Sequence, residues 1–127
     1  MKKIIHTPNA PAAIGPYSQA IKSGNLLFLS GQLPTDPETG EFVPGGIKEQ
    51  TTRVFKNISA ILNESGYEMN HIVKTTVYLS DMSLFPEMNE IYAGQFTGDY
   101  PARSTVAVAG LPKKALVEIE VIAVKQL

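Results

Sequence analysis

Apolar residues cluster or alternate in five short segments of the chain, and this pattern predicts β-strands. The clearest run, NLLFLSGQL, is bounded by Gly24 and Pro34, and a later segment, HIVKTTVYLS, is rich in β-branched residues. The predicted strands cover residues 19–22, 25–33, 71–80, 102–109 and 115–124. Three prolines and three glycines mark residues 34–46 as a loop, and a turn at 110–114 separates the last two strands.

Two further segments carry apolar residues three and four positions apart, which is the spacing of an amphipathic helix. The first begins at Ile47 and is closed by Gly66 as a C-cap. The second follows the capping oxygen of Asp81, and its apolar stripe runs from Leu84 to Phe96.

The order of these elements predicts one α+β domain spanning residues 1–127, with a single mixed sheet and two helices packed on one of its faces.

In the last strand, alternate residues from Ala115 to Ala123 are apolar, as a position beneath the helices requires. The opposite side of that strand mixes two glutamates with aliphatic residues. We expect this second face to carry Leu26, Phe28, Ser30, Thr76, Tyr78, Arg103, Thr105, Glu118 and Glu120. A mixed face of this kind on a small domain predicts self-association.

Composition and charge exclude or disfavour several classes of function for this chain. The 127 residues include 11 basic and 12 acidic side chains, so the formal net charge is −1, which disfavours binding to nucleic acid or to a membrane surface. No cysteine is present, so thiol nucleophiles, disulfides and zinc ribbons are excluded. No apolar run is long enough to span a bilayer or to act as a signal peptide, and we expect a soluble, cytoplasmic protein.

The motifs of dinucleotide-binding, phosphate-loop, serine-hydrolase and zinc-protease sites do not occur in the chain. The two histidines, His6 and His71, lie far apart in sequence, so a transition-metal site would need carboxylates from scattered places. We therefore predict no metal site.

One group of charged residues stands out on the predicted second face. Arg103 offers a planar fork of donors that suits a carboxylate, and Glu118 or Glu120 on a neighbouring strand could polarise a water molecule. These residues suit a site for a small carboxylic acid. The spacing alone favours the plainer alternative, in which Arg103 pairs with one of the glutamates as a structural ion pair at a subunit interface. Tyr17 and Ser30 are either ligand contacts or an anchored aromatic ring and a strand-end hydroxyl.

Four longer stretches resemble the RidA (YjgF) family of reactive intermediate/imine deaminases. They are NAPAAIGPYSQA at 9–20, LSGQLP at 29–34, VKTTVYLSDM at 73–82 and PARSTVAVAGLPKKALVEIEVIAV at 101–124. The resemblance implies a chorismate-mutase-like fold and a homotrimer with ligand clefts between subunits. It further implies hydrolysis of 2-imino acids and their enamine tautomers, such as 2-iminobutanoate and 2-iminopropanoate, to 2-oxo acids and ammonia, without a metal or organic cofactor.

Carried over position by position, the resemblance implies that Arg103 holds the substrate carboxylate and that Glu120 activates the attacking water. It places Tyr17, Ser30, Gly31, Asn89 and Thr105 in the cleft as substrate-binding residues. Where many members carry a cysteine, a glutamate and an arginine, this chain has Thr105, Ala107 and Gly110, which leaves the substrate range open.

Two other functions remain open at this stage: a small-carboxylate-binding regulatory module without turnover, and a ribonuclease or translation inhibitor. The near-neutral charge and the lack of a basic, aromatic patch speak against RNA as a partner.

Overall fold

The computed structural model describes residues 1–126 and contains a six-stranded mixed sheet with two helices on one face. The strands are β1 (Lys2–Ile5), β2 (Ala20–Ser23), β3 (Leu26–Gln32), β4 (Ile72–Leu79), β5 (Ala102–Ala107) and β6 (Val117–Val124), and the helices are α1 (Ile47–Glu64) and α2 (Phe85–Ala93). The spatial order is β1-β2-β3-β6-β4-β5. The predicted α+β class and the single sheet are confirmed.

Strand β6 lies at the centre of the sheet and pairs antiparallel with β3 and β4. Only β4 and β5 pair in parallel, because α2 connects them as a crossover. Alternate side chains of β6, from Val117 to Ala123, are buried beneath the helices, as the alternation predicts. They pack with α1 side chains such as Phe55 and Ile58 in one core.

Most strand boundaries differ from the predicted ones by one or two residues, and the differences at β1, α2 and β5 have an effect on the fold or the site. Strand β1 is absent from the sequence-based prediction because KKII shows no alternation, and it is held by pairing with β2 alone. Helix α2 ends at Ala93 although the apolar stripe continues to Phe96, and Phe96 packs on Tyr92 from beyond the helix. Strand β5 stops at Ala107.

One placement on the sheet is wrong. Arg103 and Thr105 were expected on the second face, but the β4–β5 register pairs them with Thr75 and Val77. Both partners are fully buried on the side of the helices, and laterally paired residues in a sheet share a face. Arg103 and Thr105 therefore belong to the helix-covered face.

The face without helices, called the open face below, keeps the other predicted members. Its residues include Leu26, Phe28, Ser30, Thr76, Tyr78, Glu118 and Glu120, together with Val106, which pairs with Tyr78. Leu26, Phe28 and Val106 are about two-fifths exposed, at 37%, 42% and 45%. In the single chain this face is only partly shielded from water.

Candidate active site

Two glutamates stand side by side on the open face because they alternate along β6. The register sets Glu120 beside Thr76 and Glu118 beside Tyr78 on β4. The Tyr78 hydroxyl donates a hydrogen bond of 3.0 Å to Oε1 of Glu120. This bond to a carboxylate, with smaller effects of burial and of both glutamate charges, raises the pKa of Tyr78. Glu120 is thus oriented by a neutral phenol, while its side chain remains exposed.

Glu118 sits in a more enclosed position, over Gly31 of β3. Its carboxylate fills the space that a Cβ at position 31 would need, with Cδ only 2.9 Å from such an atom. Burial, followed by the charge of Glu120, raises the pKa of Glu118. A carboxyl group whose pKa is raised by burial has a property that is common among catalytic acids and bases.

Gly31 and Ser30 reach this position through an irregularity in the β3–β6 ladder. Leu29 pairs with Val121 and Gln32 pairs with Ile119, so β3 carries one extra residue at this point. Such a bulge re-aims the side chains of the strand. The Ser30 hydroxyl donates a hydrogen bond of 2.6 Å to the Ser18 carbonyl, so the lone pairs of its oxygen remain available to a ligand.

A cavity of about 430 Å³ opens next to Gly31, and Tyr17 and Lys113 line it as well. The segment that carries Tyr17 is fixed by the buried Gln19 side chain. Gln19 accepts a hydrogen bond from the Thr7 amide and donates to the carbonyls of Thr7, Ala10 and Pro11. Tyr17 and Gly31 are therefore brought together at this cavity, and Glu118 contacts the same glycine.

Arg103 belongs to a second group of residues, on the other side of the sheet. Its Nη1 donates a hydrogen bond of 2.7 Å to Oδ1 of Asn89, and its guanidinium carbon lies 4.6 Å from the centroid of the Tyr92 ring and 5.4 Å from that of Phe85. Arg103, Asn89 and Tyr92 line another cavity of about 430 Å³, which Tyr100 and Pro101 complete.

The predicted site residues thus form two groups in one chain. The first lies around Gly31: Tyr17 lines the same cavity as Gly31, Ser30 precedes Gly31 on β3, and Glu118 packs over Gly31 close to Glu120. The second contains Arg103 and Asn89. Because Arg103 lies on the helix-covered face, the expected juxtaposition with both glutamates on one face does not occur within the chain. Thr105 also lies on that face, and its hydroxyl oxygen is buried without a hydrogen-bond partner among the described residues.

Three residues that contact these groups are not predicted as site residues from the sequence. Phe85 and Tyr92 flank Asn89 at positions i, i+4 and i+7 of α2, which places all three on one side of the helix. That spacing could have identified them. Tyr78 alternates with Thr76 on β4, but only the cross-strand register shows that it meets Glu120.

Within residues 1–126, no three histidine or acidic side chains come close enough together to hold a metal ion. Over the same residues, neither helix combines the length and the apolar content needed to cross a bilayer.

Comparisons with known proteins agree with this architecture. The chain is 57% identical to a RutC family protein of Pyrococcus horikoshii over 126 residues, which cover 99% of this chain and 100% of that protein. It is 48% identical to the mouse 2-iminobutanoate/2-iminopropanoate deaminase over 125 residues, covering 98% of this chain and 93% of the relative.

Several solved structures superpose closely on this chain. A Thermotoga maritima protein superposes with a TM-score of 0.97 at 51% identity, covering 100% of both chains. Escherichia coli TdcF, solved with bound serine, superposes with a TM-score of 0.94 at 42% identity, covering 98% of this chain and 99% of that one. The family model described as endoribonuclease L-PSP matches residues 7–125. The chain therefore belongs to the RidA (YjgF) family, which that model represents.

Proposed function

We propose that the protein hydrolyses small 2-imino acids and their enamine tautomers, such as 2-iminobutanoate and 2-iminopropanoate, to 2-oxo acids and ammonia without a cofactor. The observation that carries this proposal is the half-buried Glu118, whose pKa is raised and whose carboxylate lies against Gly31, a residue that lines an open cavity. The 48% identity to a mouse enzyme named for this reaction supports the substrate class, as does the serine bound by TdcF, which is also a small α-substituted carboxylate.

In the proposed reaction, Arg103 forms a charge-assisted, two-pronged pair with the substrate carboxylate. A glutamate takes a proton from water as the oxygen attacks C2 of the protonated imine, and a neutral carbinolamine forms. The glutamic acid then returns this proton to the nitrogen, the C–N bond breaks, and ammonia leaves. The hydroxyl group gives its proton to the glutamate as the carbonyl forms, and that proton passes to the released ammonia. Water is the only co-substrate, so atoms and charge balance.

The family resemblance assigns the water-activating role to Glu120, whereas the geometry favours Glu118. Glu120 is exposed and already accepts a hydrogen bond from Tyr78. Glu118 is more buried, and burial is the main cause of its raised pKa. A base of raised pKa takes up a proton from water more readily. We therefore assign the base to Glu118 and give Glu120 the role of keeping that pKa high through its charge.

A complete site of this kind requires more than one copy of the chain, because Arg103 and the glutamates lie on opposite faces of one sheet. We propose a homotrimer in which Arg103 of one subunit enters the cleft formed by Tyr17, Ser30 and Gly31 of its neighbour. The partly exposed apolar residues of the open face, including Leu26 and Phe28, supply surface for that association.

The test is a coupled assay that follows 2-oxobutanoate release from freshly generated 2-iminobutanoate. Arg103→Ala should lower kcat/KM at least about 100-fold while the trimer persists in light scattering. Arg53→Ala is the matched control, since Arg53 is the other arginine of the chain, is half-buried and hydrogen-bonds Asn57 on α1, and it lines neither of the two cavities. Glu118→Gln should remove more activity than Glu120→Gln, and the reverse order would return the base to Glu120.

Full activity in the Arg103→Ala variant would reject the carboxylate clamp. If the wild-type protein at micromolar concentration does not accelerate the reaction over buffer, the deaminase proposal fails. Carboxylate binding without turnover would then favour the regulatory module, whereas RNA binding that persists at moderate salt would favour the ribonuclease.

A further inference from the structure

Tyr92 makes a close approach to the guanidinium of Arg103, with 4.6 Å between the guanidinium carbon and the ring centroid. Phe85 contributes a second ring at 5.4 Å, and Asn89 accepts a hydrogen bond from Nη1. A guanidinium is attracted to the face of an aromatic ring and stacks well against it because it is planar and weakly hydrated. Side chains from successive turns of α2 thus hold the charged end of a long, otherwise flexible side chain.

The Tyr92 ring is itself held in place. Its hydroxyl shares a hydrogen bond of 2.8 Å with the Thr75 hydroxyl, and both residues are buried. Thr75 is the residue that pairs with Arg103 across the β4–β5 ladder. The ring is therefore anchored to the strand beside the one that carries Arg103. Phe55 and Phe96 pack against the ring at centroid distances of 5.6 and 5.1 Å, which leaves it little room to rotate.

The consequence for Arg103 is a restricted orientation. Asn89 occupies one N–H group of the guanidinium, and no other hydrogen bond to this side chain is present among the described residues. The remaining N–H groups are available to a carboxylate that enters the cavity between Tyr92 and Tyr100. Bidentate recognition of a carboxylate depends on the plane of the guanidinium as much as on its charge.

We propose that Tyr92 is a positioning residue that holds the Arg103 guanidinium ready for the substrate carboxylate, and that Thr75 acts through Tyr92 by anchoring its hydroxyl. This inference rests on the proposed role of Arg103 as the carboxylate clamp. The ordering of Arg103 by Tyr92 does not depend on any reaction and can be measured without one.

The experiment compares Tyr92→Leu and Tyr92→Phe with a matched pair at Tyr67. Tyr67 is also a buried tyrosine with one hydroxyl hydrogen bond, to the Asn25 carbonyl, and with cationic groups near its ring. Two quantities are measured for each variant: the heteronuclear NOE of the Arg103 Nε–H group, assigned by its loss in Arg103→Lys, and the steady-state KM and kcat for 2-iminobutanoate.

In Tyr92→Leu we expect the Arg103 NOE to fall to the value of a mobile side chain and KM to rise at least about tenfold, with a smaller change in kcat, as for a lost binding contact. Tyr92→Phe keeps the ring but loses the hydroxyl that Thr75 anchors, so KM should rise only about threefold, with a partial loss of the NOE. Both Tyr67 variants should leave the NOE and KM as in the wild type. If Tyr92→Leu does not fold, Thr75→Val serves instead, and about a threefold rise in KM with a partial loss of the NOE is expected.

An unchanged NOE in a folded Tyr92→Leu or Thr75→Val variant overturns the proposal, and so does an equal rise of KM in Tyr67→Leu. The NOE tests this inference and the kinetic assay tests the proposed function, so the two can fail separately. If the wild-type protein shows no imine hydrolysis but the NOE falls in Tyr92→Leu, the positioning role stands and the deaminase proposal fails.

Discussion

Replacing Gly31 with alanine should displace the Glu118 carboxylate and leave the stability of the fold nearly unchanged. A Cβ at position 31 would lie 2.9 Å from Cδ of Glu118 and 3.1 Å from Cγ, whereas ordinary contacts begin at 3.4 Å and extend to 4 Å. Oε2 of Glu118 would lie closer still, so the carboxyl group must retreat by at least about 1 Å. The obstacle is the end of a flexible side chain and not the backbone, so the sheet itself can remain in place.

The expected cost in stability is small. Gly31 does not have a positive φ, so alanine fits the backbone without strain. Moving one glutamate side chain should lower the free energy of unfolding by about 1 kcal/mol or less. For a domain of this size that corresponds to a decrease in Tm of roughly 4 °C or less.

The expected cost in activity is much larger, because a catalytic group displaced by about 1 Å can lose about 100-fold in rate. The assay is 2-oxobutanoate release, measured alongside thermal unfolding. Gly110→Ala is the control, since nothing lies within 4 Å of a Cβ at that position and its φ is not positive. A folded Gly31→Ala protein with wild-type activity would refute the reasoning that Glu118 acts from its place over Gly31.

Three further predictions concern stability. Lys114 has a φ of +59°, a conformation that glycine tolerates better than lysine. Lys114→Gly should therefore raise the free energy of unfolding, measured by urea titration, by about 0.5 to 1 kcal/mol. A decrease would contradict this prediction. The raised pKa of Glu118 means that the folded state binds the proton more tightly than the unfolded chain, so stability is lost as pH rises through the folded pKa. Glu118→Gln should thus be at least as stable as the wild type near pH 7, and the difference should vanish in thermal melts near pH 4. Gln19→Ala removes three buried hydrogen bonds and one that is partly buried, and it should lower the free energy of unfolding, measured with urea, by about 3 kcal/mol. A loss below about 1 kcal/mol would show that the segment carrying Tyr17 is held by other contacts.

Local pattern determines α1 and β6 well, because each has one face that must be apolar. The spacing of apolar residues after Ile47 and the C-cap at Gly66 predict a helix, and α1 spans Ile47–Glu64. Strand β6 shows the predicted burial at every second residue. Strand β1 lacks such a signal: three of its four residues are exposed, and its existence depends on backbone pairing with β2.

The position of Arg103 shows where local pattern fails. Alternation along ARSTVA tells which residues share a face, but it does not tell which face that is, since both sets mix polar and small residues. The face is fixed by the parallel register with β4, which sets Arg103 beside the buried Thr75. That register follows from the α2 crossover, so Phe85, Asn89 and Tyr92 of α2 meet Arg103, and their i, i+4, i+7 spacing is the signal in the sequence.

This placement changes what assembly contributes to the proposed chemistry. If Arg103 and Glu118 shared a face, one chain could hold both ends of a small imino acid, and association would only exclude water. With the sheet between them, a molecule as small as 2-iminobutanoate cannot contact both groups of one chain. The proposed trimer then supplies the carboxylate clamp itself, and mixed trimers of Arg103→Ala and Glu118→Gln subunits should regain activity because some clefts combine an intact clamp with an intact base. Mixed trimers that form but remain inactive would place both groups in the same subunit and contradict the shared site.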